Sequence, residues 1–175
     1  MLSSILSARA TDLFFSSSNV NSNTCEFWDQ YYSLGNKAHQ KKQFTKAISY
    51  FEKCIILCIN ILKVAPNTLH TKTLPCMLHQ SSHNLAACHN ASGHGLLAKK
   101  TLQELHEQLV RIACCGEQPR ALRLDVLSSI DQSLFSLTSQ LAYLNQVEEV
   151  HPIIIKTERV VTTIAEQLLN VASPN

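Results

Sequence analysis

The chain has 175 residues, 45% of them hydrophobic and 6% aromatic, and a formal net charge of +2 with its eight histidines neutral. That size fits one domain with a real core. Four Gly and five Pro are too few for the many turns of a sandwich or barrel, and charge this balanced, with no basic run longer than the isolated doublets Lys41-Lys42 and Lys99-Lys100, speaks against a nucleic-acid partner.

The longest apolar stretch, Cys54 to Ile59, is far shorter than the roughly 18 residues of a membrane span, so no membrane partner is expected. Seven cysteines is an odd number, and most sit inside apolar helical patterns, as Cys54 and Cys58 do. They read as reduced, small core side chains of a cytoplasmic protein. Residues 1–23 are Ser/Asn-rich and carry Arg9 with few acids. They read as a flexible tail with a weak likeness to a transit peptide, and no basic region precedes Leu2 to support a signal peptide.

Six helices are predicted in the remaining domain, residues 24–175. The first runs from Thr24, its cap, to Gln40, with Phe27, Tyr31, Leu34 and Ala38 at helical spacing. The second, Phe44–Val64, has a broad apolar face that includes Ala47, Phe51, Cys54, Ile55 and Cys58, and ends at Pro66-Asn67. The third spans Lys72–Ser92, with Thr71 as cap and Pro75 in its first turn; Gly93 and Gly95 break it from the fourth, Leu97–Cys115. After the Gly116–Pro119 linker come a fifth, Ala121–Asn145, and a sixth opened by Pro152 and ending near Val171. Short polar turns make these antiparallel pairs.

A spacing recurs inside this pattern. Gly35 is followed twelve residues later by Ala47, with Phe44 and Phe51 beside it; Ala86 is followed twelve residues later by Ala98. Small residues at a helix crossing, flanked by bulky wedges, let two backbones approach closely. The two segments, residues 26–64 and 72–115, resemble tetratricopeptide repeats. Gly35 and Ala86 stand 86 − 35 = 51 residues apart, against roughly 34 in a standard repeat, so the copies are similar to the extended repeats of immunophilin-type co-chaperones and of small bacterial tetratricopeptide proteins. Residues 121–172 match poorly and read as a degenerate third pair or cap. The expected fold is therefore all-α, with antiparallel helix pairs stacked as a short tetratricopeptide-like superhelix.

The resemblance implies a non-enzymatic scaffold, adaptor or chaperone-like protein whose concave face, lined by the first helix of each pair, binds a peptide or another protein. On this chain that face comprises Asp29, Tyr32, Asn36, His39 and Gln40, then Gln80, His83, Asn84, Ala87 and Asn90. Asn36 and Asn84 fall where co-chaperones place the two Asn of a carboxylate clamp. Tyr32 replaces a clamp Lys, however, and residues 138–143 offer no Lys or Arg to offset desolvation of a carboxylate. An acidic tail is thus not the expected ligand, and Asn84 is read as bonding backbone between helices.

Three other chemistries were weighed. Cys76, His79 and His83 share one helical face at i, i+3 and i+7, a candidate metal set, but no CxxC or HExxH motif accompanies them. No nucleophile elbow or phosphate loop occurs, and Cys114-Cys115 lies at a helix C-terminus, where the dipole raises a thiol pKa. No cofactor is expected. The alternatives to a scaffold are a homodimer or larger homo-oligomer built on the C-terminal pair, and a metal-binding regulator.

Overall fold

The computed structural model describes residues 20–64 and 73–170. Their helices are α1 (Val20–Gln40), α2 (Phe44–Val64), α3 (Leu74–Ala91), α4 (Gly95–Cys114), α5 (Arg120–Tyr143) and α6 (Val150–Asn170), with a 3₁₀ turn at Val147–Glu149 before α6. No strand occurs among the described residues, and no helix there is long and apolar enough to cross a membrane. The protein is all-α, and the six α-helices of the described residues stack as antiparallel pairs.

The backbone repeats more faithfully than the side chains. Lys42, Gly93 and Asn145 adopt left-handed φ values of 58°, 77° and 56°, one just past the end of α1, α3 and α5. At each, the same two bonds close the helix. Lys42 N donates to His39 O and Gln43 N to Ala38 O; Gly93 N donates to Asn90 O and His94 N to His89 O; Asn145 N donates to Ala142 O and Gln146 N to Leu141 O. This pairing of bonds to carbonyls three and five residues back is the Schellman motif, which satisfies the last carbonyls of a helix. It recurs after 51 and then 52 residues, so the third pair belongs to the same repeat even though its sequence matches poorly.

Each helix packs on its chain neighbours, and α3 also meets α5 as α4 meets α6. The first helices α1, α3 and α5 therefore form one side of the stack and α2, α4 and α6 the other. Between them lies a core of buried side chains, among them Trp28, Phe51, Ile55, Leu74, Leu109, Leu122 and Ile130. Fully burying an aliphatic or aromatic side chain of this kind contributes about 1.5–3 kcal/mol.

The small residues do what the spacing predicts. Gly35 is buried, and a Cβ there would stand 2.7 Å from the Phe51 ring. Phe51 is wholly buried and meets Tyr32 edge-on at 5.9 Å, so it has no room to withdraw. Ala47, Ala86 and Ala98 are buried as well. One repeat further along, 52 residues on, the corresponding positions hold Thr138 and Val150. Neither is as small as Gly or Ala, and α5 and α6 touch along much less of their length than the earlier pairs.

Several predicted boundaries shift. α1 begins at Val20, ahead of Thr24, which lies within the helix instead of capping it. α3 starts after Thr73, with Pro75 in its first turn. α4 starts at Gly95, so only Gly93 acts as a breaker. The sixth helix starts two residues before Pro152, which its first turn tolerates because the proline's missing N–H has no partner to lose there. Residues 1–19 of the predicted tail, the Pro66-Asn67 stop, the Thr71 cap and the predicted start at Lys72 lie outside the described residues.

Candidate functional site

On the α1–α3–α5 side, short polar side chains stitch the helices together. Trp28 Nε1 donates to Ser81 Oγ at 3.0 Å, and the Ser81 hydroxyl donates in turn to Met77 O at 2.8 Å. Trp28 and Tyr32 stack at 4.5 Å. The Asn84 amide donates to Tyr32 Oη and to Asn36 Oδ1, each at 3.1 Å. Further along, Asn90 and Gln140 exchange amide bonds at 2.7 and 3.0 Å, and Gln140 Nε2 also reaches Gly95 O at 3.2 Å.

These contacts sort the predicted groove residues. Tyr32, Asn36 and Asn84 come together, half-buried, in one junction. The two asparagines at the clamp positions are consumed by each other, and Asn84 bonds side chains, not the backbone expected for it. Asn90 ties α3 to α5. His39 leans on Phe44 at 5.6 Å. Asp29, Gln40, Gln80 and His83 are exposed, and Ala87 is half-buried. The sequence reading missed Phe135. The residue separation that joins Tyr32 to Asn84 is 52; the same step carries His83 on α3 to Phe135 on α5, which is 73% exposed. Exposed aromatic character at a position one repeat on from His83 was the available signal.

The metal set does not converge. Among the described residues no group of three or more His, Cys, Asp or Glu side chains could hold an ion. His79 and His83 stack ring on ring, 6.0 Å apart and 17° from parallel, and Cys76 Sγ accepts a bond from Gln80 Nε2. Helical spacing put the three residues on one face, but their side chains face neighbours instead of a common point. Burial, and secondarily the charge of His83, lower the His79 pKa. The cysteine pair on α2 is core: burial pushes Cys54 up to about 12 and raises Cys58 as well, so both remain thiols.

The opposite side carries an opening of its own. A cleft of about 650 Å³ runs between α4 and α6, with Val110, Leu137, Ile153 and Val160 among its walls. Near its mouth Lys99 pairs with both Glu149 carboxylate oxygens at 2.8 Å and with Gln146 Oε1 at 2.9 Å. At its floor His106, only 7% exposed, places Nδ1 2.8 Å from Ser133 Oγ and Nε2 2.9 Å from Thr157 Oγ1. One ring thus bridges α4, α5 and α6. Ser133 is fully buried and donates to Ile130 O, so it is not presented to a substrate as a nucleophile. Nothing in the sequence reading singled out this triad. The signal was His106 standing four residues after Leu102 and three before Leu109, inside an apolar register.

Fold and surface together define a stacked helix-hairpin protein with a polar, hydrogen-bonded face and an apolar cleft behind it. Residues 26–172 match the model of the family described as a protein of unknown function, DUF2753, and the chain belongs to that family. No curated protein and no solved structure matches it.

Proposed function

We propose that this protein is a non-enzymatic interaction scaffold, an adaptor or chaperone-like protein of tetratricopeptide-like character, that receives a peptide or partner protein on the α1–α3–α5 face. The observation that carries this reading is the composition of α3. Its 18 residues include no Asp, Glu, Lys or Arg, yet Cys76, Gln80, His83 and Ala91 are exposed. Solvated helix faces ordinarily carry charge. A charge-free face, flanked on α5 by Phe135, suits a partner anchored by apolar or aromatic groups with amides setting its register. The absence of Lys and Arg from α3 argues against an acidic ligand. The buried thiols of Cys54, Cys58 and Cys88 suit a reducing compartment, which favours the cytoplasm.

The test uses exposed positions that the fold does not need. Affinity purification from native cells with wild type and with a Gln80→Glu/His83→Glu/Phe135→Glu variant should recover a stoichiometric partner with wild type alone, at unchanged helical content and melting temperature. Equal recovery with both proteins removes the proposal. A second reading, self-association through the C-terminal pair, is favoured by Tyr143 and Val147, 70% and 62% exposed. Light scattering separates a homo-oligomer from a monomeric adaptor.

A further inference from the structure

We propose that the His106–Ser133–Thr157 triad is a proton-binding strut, a place where the folded protein takes up one proton and transmits the event to the α4–α6 cleft.

The argument is a count of protons. The triad makes four contacts: His106 Nδ1 to Ser133 Oγ, His106 Nε2 to Thr157 Oγ1, Ser133 Oγ to Ile130 O at 2.8 Å, and Thr157 Oγ1 to Ile153 O at 2.8 Å. Each contact needs one proton between its two atoms. A neutral imidazole brings one N–H and the two hydroxyls bring one O–H each, which makes three protons for four contacts. With the neutral ring, then, either a hydroxyl gives up its carbonyl to serve a ring nitrogen, or two lone pairs face each other across less than 3 Å. An imidazolium brings the fourth proton, and every contact is then filled without moving a heavy atom. The hydroxyl that had been turned toward the ring swings back to its own helix carbonyl.

Against this stands the cost of a charge in the interior. Burial lowers the His106 pKa; Glu107 raises it and Lys156 lowers it. The other charges around the cleft are Arg111 on α4 and, from the 3₁₀ turn, Glu148 and Glu149, the latter held by Lys99. From α5 the cleft lining is the uncharged Leu137. The ring is therefore neutral at neutral pH and charges on acidification. Because the charged form has its hydrogen-bond partners in place, it charges inside the fold instead of by unfolding. Thr157 lies on α6 and Ser133 on α5, so the change in the direction of these bonds is felt where the two helices are already held apart.

The experiment is a ¹H–¹⁵N NMR titration of the His106 ring nitrogens in full-length wild-type protein, with the amides of Val110, Ile153 and Val160 followed in parallel. The ring should titrate below the ordinary histidine value of 6.5, in protein still folded by its amide spectrum, and the three amides should shift with the same midpoint. Two surface variants check the assignment, because Glu107 and Lys156 are both exposed. Lys156→Gln should raise the midpoint and Glu107→Gln should lower it. Thr157→Val, which removes the acceptor for the second N–H, should lower it further. A ring that stays neutral until the protein unfolds, cleft amides that do not follow the ring's midpoint, or a midpoint indifferent to both charge variants would each overturn the proposal.

Discussion

In the first helix pair, Gly35 and Ala47 bring α1 and α2 so close that the Phe51 ring fills the seam, and aromatic rings carry the junction onward: Trp28 on Tyr32, Tyr32 on Phe51. In the third pair Thr138 and Val150 occupy the corresponding positions, α5 and α6 stand apart, and the junction is made by an imidazole and two hydroxyls above a cleft. The turn chemistry is the same at both ends, down to the Schellman bonds. One repeat thus gives two kinds of interface, and the close-packed kind coincides with small residues at both crossing positions. A close-packed seam draws its stability from dispersion and burial; a separated one leaves room for polar groups, provided that each finds a partner.

The comparison can be broken most sharply at Phe51. Phe51→Ala should cost about 3–5 kcal/mol, because a wholly buried ring leaves a cavity that rigid helices do not fill; a loss below 1 kcal/mol by urea denaturation would mean that the seam is not close-packed. Gly35→Ala comes next, at about 1–3 kcal/mol, the range for forcing an extra carbon into a filled core. The same glycine-to-alanine change would ordinarily be favourable within a helix, so the sign alone is decisive. Gln140→Ala strands the Asn90 amide and the Gly95 carbonyl and should cost about 1–3 kcal/mol, read as a fall in melting temperature.

The acid response sharpens the polar side of the comparison. Burial lowers the pKa values of His79, His89 and His106. Above their ordinary value of 6.5, folded and unfolded chains are both neutral and stability is fully present. Below it the unfolded chain binds protons first, so stability falls with pH until the folded-state values are reached. Urea midpoints measured from pH 7.5 to 5 should decline, and in His106→Gln the decline should be shallower. The smallest effect is expected at Lys99→Met. Lys99 is partly buried but its partner Glu149 is largely solvated, and a pair of that kind is worth about 1 kcal/mol or less.

The sequence disclosed the close-packed end far better than the open one. Gly35, Ala47 and Phe51 are legible because a seam of small residues needs specific side chains at fixed spacing, and that spacing recurs at Ala86 and Ala98. The third pair escaped because Thr138 and Val150 do not repeat the small-residue pair; what repeats there is a backbone cap, with Asn145 standing in for Gly93. Exposure along the α1–α3 face was half legible. Helical spacing placed Asp29, Gln40, Gln80 and His83 on the surface, but it carried no information that Asn36 and Asn84 would bond each other, because side-chain pairing across two helices depends on their register. His106, Ser133 and Thr157 are far apart in the chain and individually ordinary, and only their convergence gives them meaning.

The reciprocal amides of Asn90 and Gln140 have a consequence for how the molecule responds to its surroundings. Neither side chain ionises, so acid and salt leave their bonds intact, and slipping α5 by a single residue along α3 would unmake all three contacts at once. They act as a fixed gauge between two rods. Protonation of His106 at the rear of the stack therefore leaves these uncharged amides, and the α3–α5 register that they set, untouched.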